Sequence, residues 1–270
     1  MYTFPKFCSY NISIRLVACG DTHTCFVTNN DYLYSMGSNQ NGQLGIGDPV
    51  RFKNSPVLIE DIPVRHVTQV ACGGNTSFIC SDDGSVYSWG EGMHGALGLN
   101  QLQDQFKPKK IQIANEARIA KIDCGREHSV FVDISGRVHV SGSNKRGQLG
   151  LGEVVSGQLN HIRPIIVPNS TDCFKQVACG DFHTLVLSHS GLVYSAGENG
   201  QGQLGDGTRT QINSLKLIDE ISHIPMRAIA AGSFSASISE DTRSLFLWGS
   251  GAFGEFLTPH RVKKIKGETL

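Results

Sequence analysis

The chain has 270 residues, with 24 Lys and Arg against 24 Asp and Glu, so its formal net charge is zero. That balance argues against nucleic-acid binding through a broad basic field, and a hydrophobic content of 39% suffices for a globular core. Glycine, at 31 residues, is about 11% of the chain against a usual ~7%, while Pro numbers only nine. This composition suits short strands and tight turns, not a disordered Pro/Gly-rich chain. No apolar run approaches the roughly 18 residues of a membrane-spanning helix. The opening Met1-Tyr-Thr-Phe-Pro-Lys has no apolar signal-peptide core. The expectation is an intracellular protein whose eight cysteines are reduced thiols.

Taken in chain order, one unit recurs five times. The first copy opens on Val17-Ala-Cys-Gly-Asp-Thr-His-Thr, turns at Asn29-Asn-Asp, and passes Gly37 to reach Gly42-Gln-Leu-Gly and the connector Ser55-Pro-Val-Leu-Ile. The second runs from Val70-Ala-Cys-Gly-Gly-Asn-Thr-Ser through Asp83-Gly and Gly90 to Gly95-Ala-Leu-Gly. The third runs from Ile122-Asp-Cys-Gly-Arg-Glu-His-Ser through Ser135-Gly and Gly142 to Gly147-Gln-Leu-Gly and the connector Arg163-Pro-Ile-Ile-Val. The fourth runs from Val177-Ala-Cys-Gly-Asp-Phe-His-Thr through His189-Ser-Gly and Gly197 to Gly202-Gln-Leu-Gly. The fifth is worn: Ile229-Ala-Ala-Gly-Ser-Phe-Ser-Ala, Asp241-Thr-Arg, Gly249, Gly254-Glu-Phe-Leu. The anchor glycines Gly20, Gly73, Gly125, Gly180 and Gly232 are spaced by 53, 52, 55 and 52 residues, and a second glycine follows each by 17.

Each copy reads as about four strands, the size of a propeller blade. In the fourth, Thr184-Leu-Val-Leu is a short β-rich run, Gly191 can take positive φ in the hairpin turn, and Leu192-Val-Tyr-Ser-Ala is the next strand. Four columns of equivalent positions are apolar in all five copies. They are Val17, Val70, Ile122, Val177 and Ile229; Phe26, Ile79, Phe131, Val186 and Ile238; Leu33, Val86, Val138, Val193 and Leu245; and Leu44, Leu97, Leu149, Leu204 and Phe256. A lone blade would leave a face bare, and stacking blades buries these columns.

Most polar residues with chemical potential recur by copy, which argues for structure. Cys19, Cys72, Cys124 and Cys179 precede their anchors one per blade, too far apart to share an ion, and Cys8, Cys25, Cys80 and Cys173 show no ligand spacing. His23, His128 and His183 follow three residues after their anchors, where Thr76 and Ser235 stand in the other copies. A hydrogen-bonding role in a turn fits them better than catalysis. Gly200-Gln-Gly-Gln-Leu-Gly matches a dinucleotide-binding pattern but lacks the helix that should follow. Asn11, Asn75 and Asn169 head formal glycosylation sequons, and Lys107-Pro-Lys-Lys and Arg261, Lys263, Lys264 and Lys266 are short basic runs that read as solvated faces. No catalytic, metal or cofactor residue is assigned. Asn39, Gln40, Asn144, Lys145, Arg146, Glu198 and Asn199 lie before the Gly-Gln-Leu-Gly turns. They share one phase of the repeat, which places them on one rim as a candidate partner-binding surface.

The combination Ala-Cys-Gly-x-x-His-Thr, Tyr-Ser-x-Gly and Gly-Gln-Leu-Gly-x-Gly, from residue 17 to about 265, resembles the repeat of the regulator of chromosome condensation. The resemblance implies an all-β fold, a β-propeller of four-stranded blades. The founding member has seven blades and acts as a nucleotide exchange factor for the GTPase Ran, while many relatives are protein-binding platforms. Here five repeats fit within a single propeller domain spanning residues 1–270. The ring closes with five, stays open as an incomplete arc, or is completed by another chain or further sequence, with Phe4-Pro-Lys-Phe a candidate worn end of a preceding unit. The open or partner-completed arc is the favoured expectation. The functional expectation is a non-catalytic protein-interaction scaffold without cofactors, whose partner is a protein. The alternative is guanine nucleotide exchange on a Ran-like small GTPase. Its wedge should show as an insertion in one repeat, yet the repeats are nearly uniform. The longest step, Gly125 to Gly180, exceeds the shortest by only three residues, a small protrusion at most near Glu153-Val-Val-Ser-Gly-Gln. The relatives' settings make cytoplasm the first expectation for compartment, with nucleus and cilium as alternatives.

Overall fold

The computed structural model describes residues 13–60, 62–152, 158–168, 170–241, 243–251 and 254–262. Phe4-Pro-Lys-Phe, Cys8, Asn11, Asn169, the 153–157 segment, and Lys263, Lys264 and Lys266 lie outside them. Five four-stranded antiparallel sheets follow one another, each with its strands in chain order. The first blade is β1 (Ile14–Cys19), β2 (His23–Thr28), β3 (Leu33–Ser38) and β4 (Phe52–Leu58). The second is β5 (Val67–Gly73), β6 (Thr76–Ser81), β7 (Val86–Gly90) and β8 (Gln105–Lys110). The third is β9 (Ile119–Cys124), β10 (His128–Asp133), β11 (Val138–Ser143) and β12 (Gln158–Pro164). The fourth is β13 (Phe174–Cys179), β14 (His183–Ser188), β15 (Val193–Gly197) and β16 (Ile212–Leu217). The fifth is β17 (Met226–Ala231), β18 (Phe234–Ser239), β19 (Leu245–Gly251) and β20 (Gly254–Arg261).

First strands pack on one another, β1 on β5, β5 on β9, β9 on β13 and β13 on β17, and form the inner wall of a propeller-like fold. The approach is close enough to explain the anchor glycines. A β-carbon on Gly73 would collide with the Gly125 carbonyl oxygen, and one on Gly125 with that of Gly180. The glycines of the Gly-x-Leu-Gly turn have a different reason, since Gly147 and Gly150 take φ of 73° and 64°.

The core is divided among the seams. Cys25, Val27 and Leu33 of the first blade meet Val70, Cys72, Ile79 and Trp89 of the second. Phe78 and Val86 meet Ile122 and Phe131 across the next seam. Val130, Val132 and Val138 meet Val177 and Val186, and Leu185, Leu187 and Val193 meet Ile229 and Trp248. Alternation along each strand gives one blade two apolar faces, one for each neighbour.

Sixteen of the twenty column residues are buried, and the four exceptions stand in the terminal blades. Val17 is 65% exposed where Val70, Ile122, Val177 and Ile229 are at most 9% exposed. Leu245 and Phe256 are half-buried, and Ile238 is 39% exposed.

Ile238 corrects the alignment. Ser237, not Ile238, pairs with Ile229, as Val186 pairs with Val177. The turn after β17 is one residue shorter than its counterparts, because Ala231 pairs with Ser235 while Cys179 pairs with Thr184. Phe234 therefore takes the place of the histidines, opposite Gly249 as His183 stands opposite Gly197. Ile238 lands on the forward face, the side occupied in the fourth blade by the fully buried Leu187.

Leu149 is 1% exposed within the seam between the third and fourth blades. Leu149→Ala is expected to lower unfolding free energy by about 2–5 kcal/mol in a denaturant titration.

Candidate interaction surface

Because strands alternate in direction, the turn after each first strand and the long loop after each third strand emerge at the same end of the blades. The loops are braced from beneath. Asn39 Oδ1 accepts the Leu44 N–H at 3.0 Å, and its Nδ2 donates to the carbonyls of Asp48 and Val50. Asn144 accepts the Leu149 N–H at 3.0 Å and Asn199 the Leu204 N–H at 3.0 Å. These bonds answer backbone donors that the Gly-x-Leu-Gly bend would otherwise strand in the interior. All three asparagines are therefore buried at 1% exposure, and they brace the rim instead of facing a partner. Gln43, Gln148 and Gln203 are buried beside them and accept the backbone N–H of Asn41, Arg146 and Gln201. Of the remaining rim residues, Gln40, Lys145 and Arg146 are exposed and Glu198 is half-buried.

Polar pairs tie successive blades along this face. Asn41 donates to Asp104 at 3.0 Å. His94 lies 3.7 Å from Glu127, Arg146 pairs with Glu198, and Arg209 pairs with Glu255 at 2.5 Å. Arg146 also stacks over the Phe182 ring, 4.2 Å from its centroid. Three large apolar side chains stand exposed on the same end in the first two blades: Phe52, Met93 and Leu102. Sequence reasoning missed them because they belong to no repeating column.

The histidines close the seams from within. His23 Nε2 lies 2.7 Å from Ser77 Oγ, His128 Nε2 2.9 Å from Thr184 Oγ1, and His183 Nε2 2.8 Å from Ser235 Oγ. Each partner hydroxyl donates onward to the carbonyl of Gln43, Gln148 or Gln203, so each imidazole is the donor. Ser235 is thus the acceptor of this bond and not the counterpart of the histidines, the same one-residue correction seen for Ile238. Burial holds all three imidazoles neutral, lowering His23 to about 4, His128 to about 3 and His183 to about 4.

The inner wall carries a second set of clamps that the motif search overlooked. Gln69 donates to the Ile122 carbonyl at 2.6 Å and accepts the Ile122 N–H at 3.1 Å. Gln176 does the same to Ile229 at 2.8 and 3.1 Å. At the seam between them, Asp123 accepts the Cys179 N–H at 2.7 Å, and burial pushes its carboxyl up to about 6. Lys121, Lys175 and Arg227 stand beside these clamps around a cavity of about 540 Å³.

Seven described cysteines are free thiols. Cys72, Cys124 and Cys179 are buried and Cys19 is exposed. Ligand spacing in the chain would not have found Cys25, yet the seam brings His23, Cys25 and Cys72 together, with potential ligand atoms all within 4.8 Å of one another. Of the four anchor cysteines only Cys72 belongs to this trio, and its thiol neighbour is Cys25 of the adjoining blade.

A folded-state pKa below the free value means that the unfolded chain binds protons more readily. The histidine contribution to stability is complete above about pH 6.5 and is lost as pH falls toward the folded values of about 3 to 4. Asp123, raised to about 6, has the opposite sign and gains stability over part of the same range, but it is one group against three. Urea midpoints are expected to fall from pH 7 to pH 4. His128→Thr, which installs the residue type of Thr76, is expected to flatten that slope.

The RCC1-like domain family model matches residues 4–266. The chain is 29% identical to the ultraviolet-B receptor UVR8 of Arabidopsis thaliana, over 91% of this chain and 55% of the receptor. It is 34% identical to the probable E3 ubiquitin-protein ligase HERC4 of mouse, over 76% of this chain and 19% of the ligase. It therefore spans about half of the one relative and about a fifth of the other. Among solved structures, human WBSCR16 superposes with a TM-score of 0.82 at 25% identity, covering 94% of this chain and 68% of that one. Prp20p of Saccharomyces cerevisiae, described with its binding to Gsp1p and histones, matches with a TM-score of 0.60 at 19% identity, covering 94% and 78%. With nearly its whole length matched by the family model, the chain belongs to the RCC1-like domain family.

Proposed function

We propose that this chain is a non-catalytic protein-interaction scaffold, a single propeller domain whose partner docks on the braced loop face. The observation that carries the reading is a division of labour on that face. Asn39, Asn144 and Asn199 with Gln43, Gln148 and Gln203 are consumed in backbone bonds, and what differs from blade to blade faces outward: Gln40, Lys145 and Arg146, with Phe52, Met93 and Leu102 nearby. Exposed apolar groups beside charged ones on rigid loops suit protein recognition. Lys145→Glu with Arg146→Glu is expected to abolish capture of the partner from native cells, while changing stability by at most about 1 kcal/mol, as for exposed pairs. Undiminished capture would remove the rim from the interface.

Exchange on a Gsp1p-like or Ran-like small GTPase is the second reading, favoured by the fold shared with Prp20p. Exchange requires a docked surface that displaces phosphate and magnesium contacts and no acid–base group. Accelerated nucleotide release from such a GTPase would replace the scaffold reading with this one.

We also infer that the arc is open between the fifth and first blades and is completed by further blades of the same kind, from the remainder of a longer chain or from a partner. The internal comparison supports it. Ile14 is 53% exposed where Val67, Ile119, Phe174 and Met226 are at most 5% exposed. Gly232 has no atom within 4 Å of a β-carbon placed on it, whereas Gly73, Gly125 and Gly180 each crowd the next blade. Alkylation of the folded chain is expected to modify exposed Cys19 as fast as Cys173 and to spare Cys72, Cys124 and Cys179, read by peptide mass spectrometry. Protection of Cys19 in the isolated chain would mean that the ring closes on itself.

A further inference from the structure

We propose that the seam between the first and second blades is a binding site for one soft, thiophilic cation, copper(I), held by Cys25, Cys72 and His23. The three residues come from two blades and are buried, at 0%, 9% and 3% exposure. Their ligand atoms lie within 4.8 Å of one another, the scale on which a single ion can bridge them with small side-chain rotations. Ser77 Oγ stands among them, 2.7 Å from His23 Nε2, 3.7 Å from Cys25 Sγ and 3.9 Å from Cys72 Sγ.

The repeat supplies its own control. Every seam described places the same positions together, yet the equivalent trios are Thr76, Phe78 and Cys124; His128, Val130 and Cys179; and His183, Leu185 and Ala231. Packing of a seam therefore needs no thiol where Cys25 stands. A valine or leucine serves there, and only the first seam combines two thiols with an imidazole.

Two thiolates and one imidazole form a soft donor set that selects copper(I) or zinc. Structural zinc is almost always four-coordinate, and three-ligand zinc sites keep a water in the fourth place. Here the trio lies in a seam packed with Val27, Val70, Ile79 and Trp89, which favours a dry three-coordinate ion. On binding, each thiol releases its proton to solvent and two Cu–S bonds form. The imidazole tautomer protonated on Nδ1 frees Nε2 to bind, and Ser77 keeps its bond to the Gln43 carbonyl at 2.9 Å.

The test is an anaerobic titration of the full chain with copper(I) delivered from a chromophoric chelator, in a background carrying Cys8→Ser, Cys19→Ser and Cys173→Ser. One copper per chain is expected to be withheld from the chelator, with a rise in thermal midpoint that accompanies it. Cys25→Val and Cys72→Ala install residues that other copies carry at these places, and metal-free melting confirms that each folds. Either is expected to weaken copper binding by more than the roughly 10–100-fold typical of losing a partner outside the coordination sphere. Should either fail to fold, His23→Thr, the residue type of the second copy, takes its place. Copper not withheld by the background chain, or held equally by a folded variant, overturns the proposal. A parallel zinc(II) titration that proves tighter than copper(I) overturns the assignment of the ion.

Discussion

The fold depends on the contact between the face of one blade and the face of the next. A four-stranded sheet with two apolar faces is unstable by itself, because burying only one leaves the other in water. Each seam solves this in the same way. A patch of aliphatic and aromatic side chains fills the middle, and a neutral imidazole or a hydroxyl closes the end nearest the inner wall. The three imidazoles find their hydroxyl partners on the adjoining blade, so those bonds exist only when the faces are joined, whereas Thr76 donates to Gly73 of its own blade. Positions that look chemically interesting in one copy thus become ordinary when seen in all of them.

The same geometry separates what builds the surface from what the surface can offer. The glycine-rich bend after each third strand turns backbone donors inward, and an asparagine amide answers them at Leu44, Leu149 and Leu204. With that need met internally, neighbours such as Gln40 and Lys145 stand exposed on the same loops.

Much of this was legible in the chain itself. Regular glycine spacing implied tandem β-sheets, and columns of apolar residues identified the buried faces, because a residue in the same phase of every copy meets the same neighbour. Three things were not legible. The amides of Asn39, Asn144 and Asn199 look like recognition groups until the direction of the backbone donors is known. The meeting of Cys25 with Cys72 depends on how closely two sheets approach, which spacing along a strand does not contain. The slip in the fifth copy was hidden by compensation. The turn before β18 is one residue short and the hairpin after it one residue long, so Gly249 still falls 17 residues after Gly232.

That paired slip has a consequence for how such arrays diverge. Deleting a residue at one end of a strand and inserting one at the other slides a single strand along its neighbours, leaving the rest of its sheet in register. The slide exchanges which side chains look toward which adjoining blade, here placing Ser237 opposite Ile229 and setting Ile238 on the outer side. One unit can thereby acquire a different contact chemistry through two compensating length changes, with its glycine landmarks untouched and its kinship to the other copies still plain.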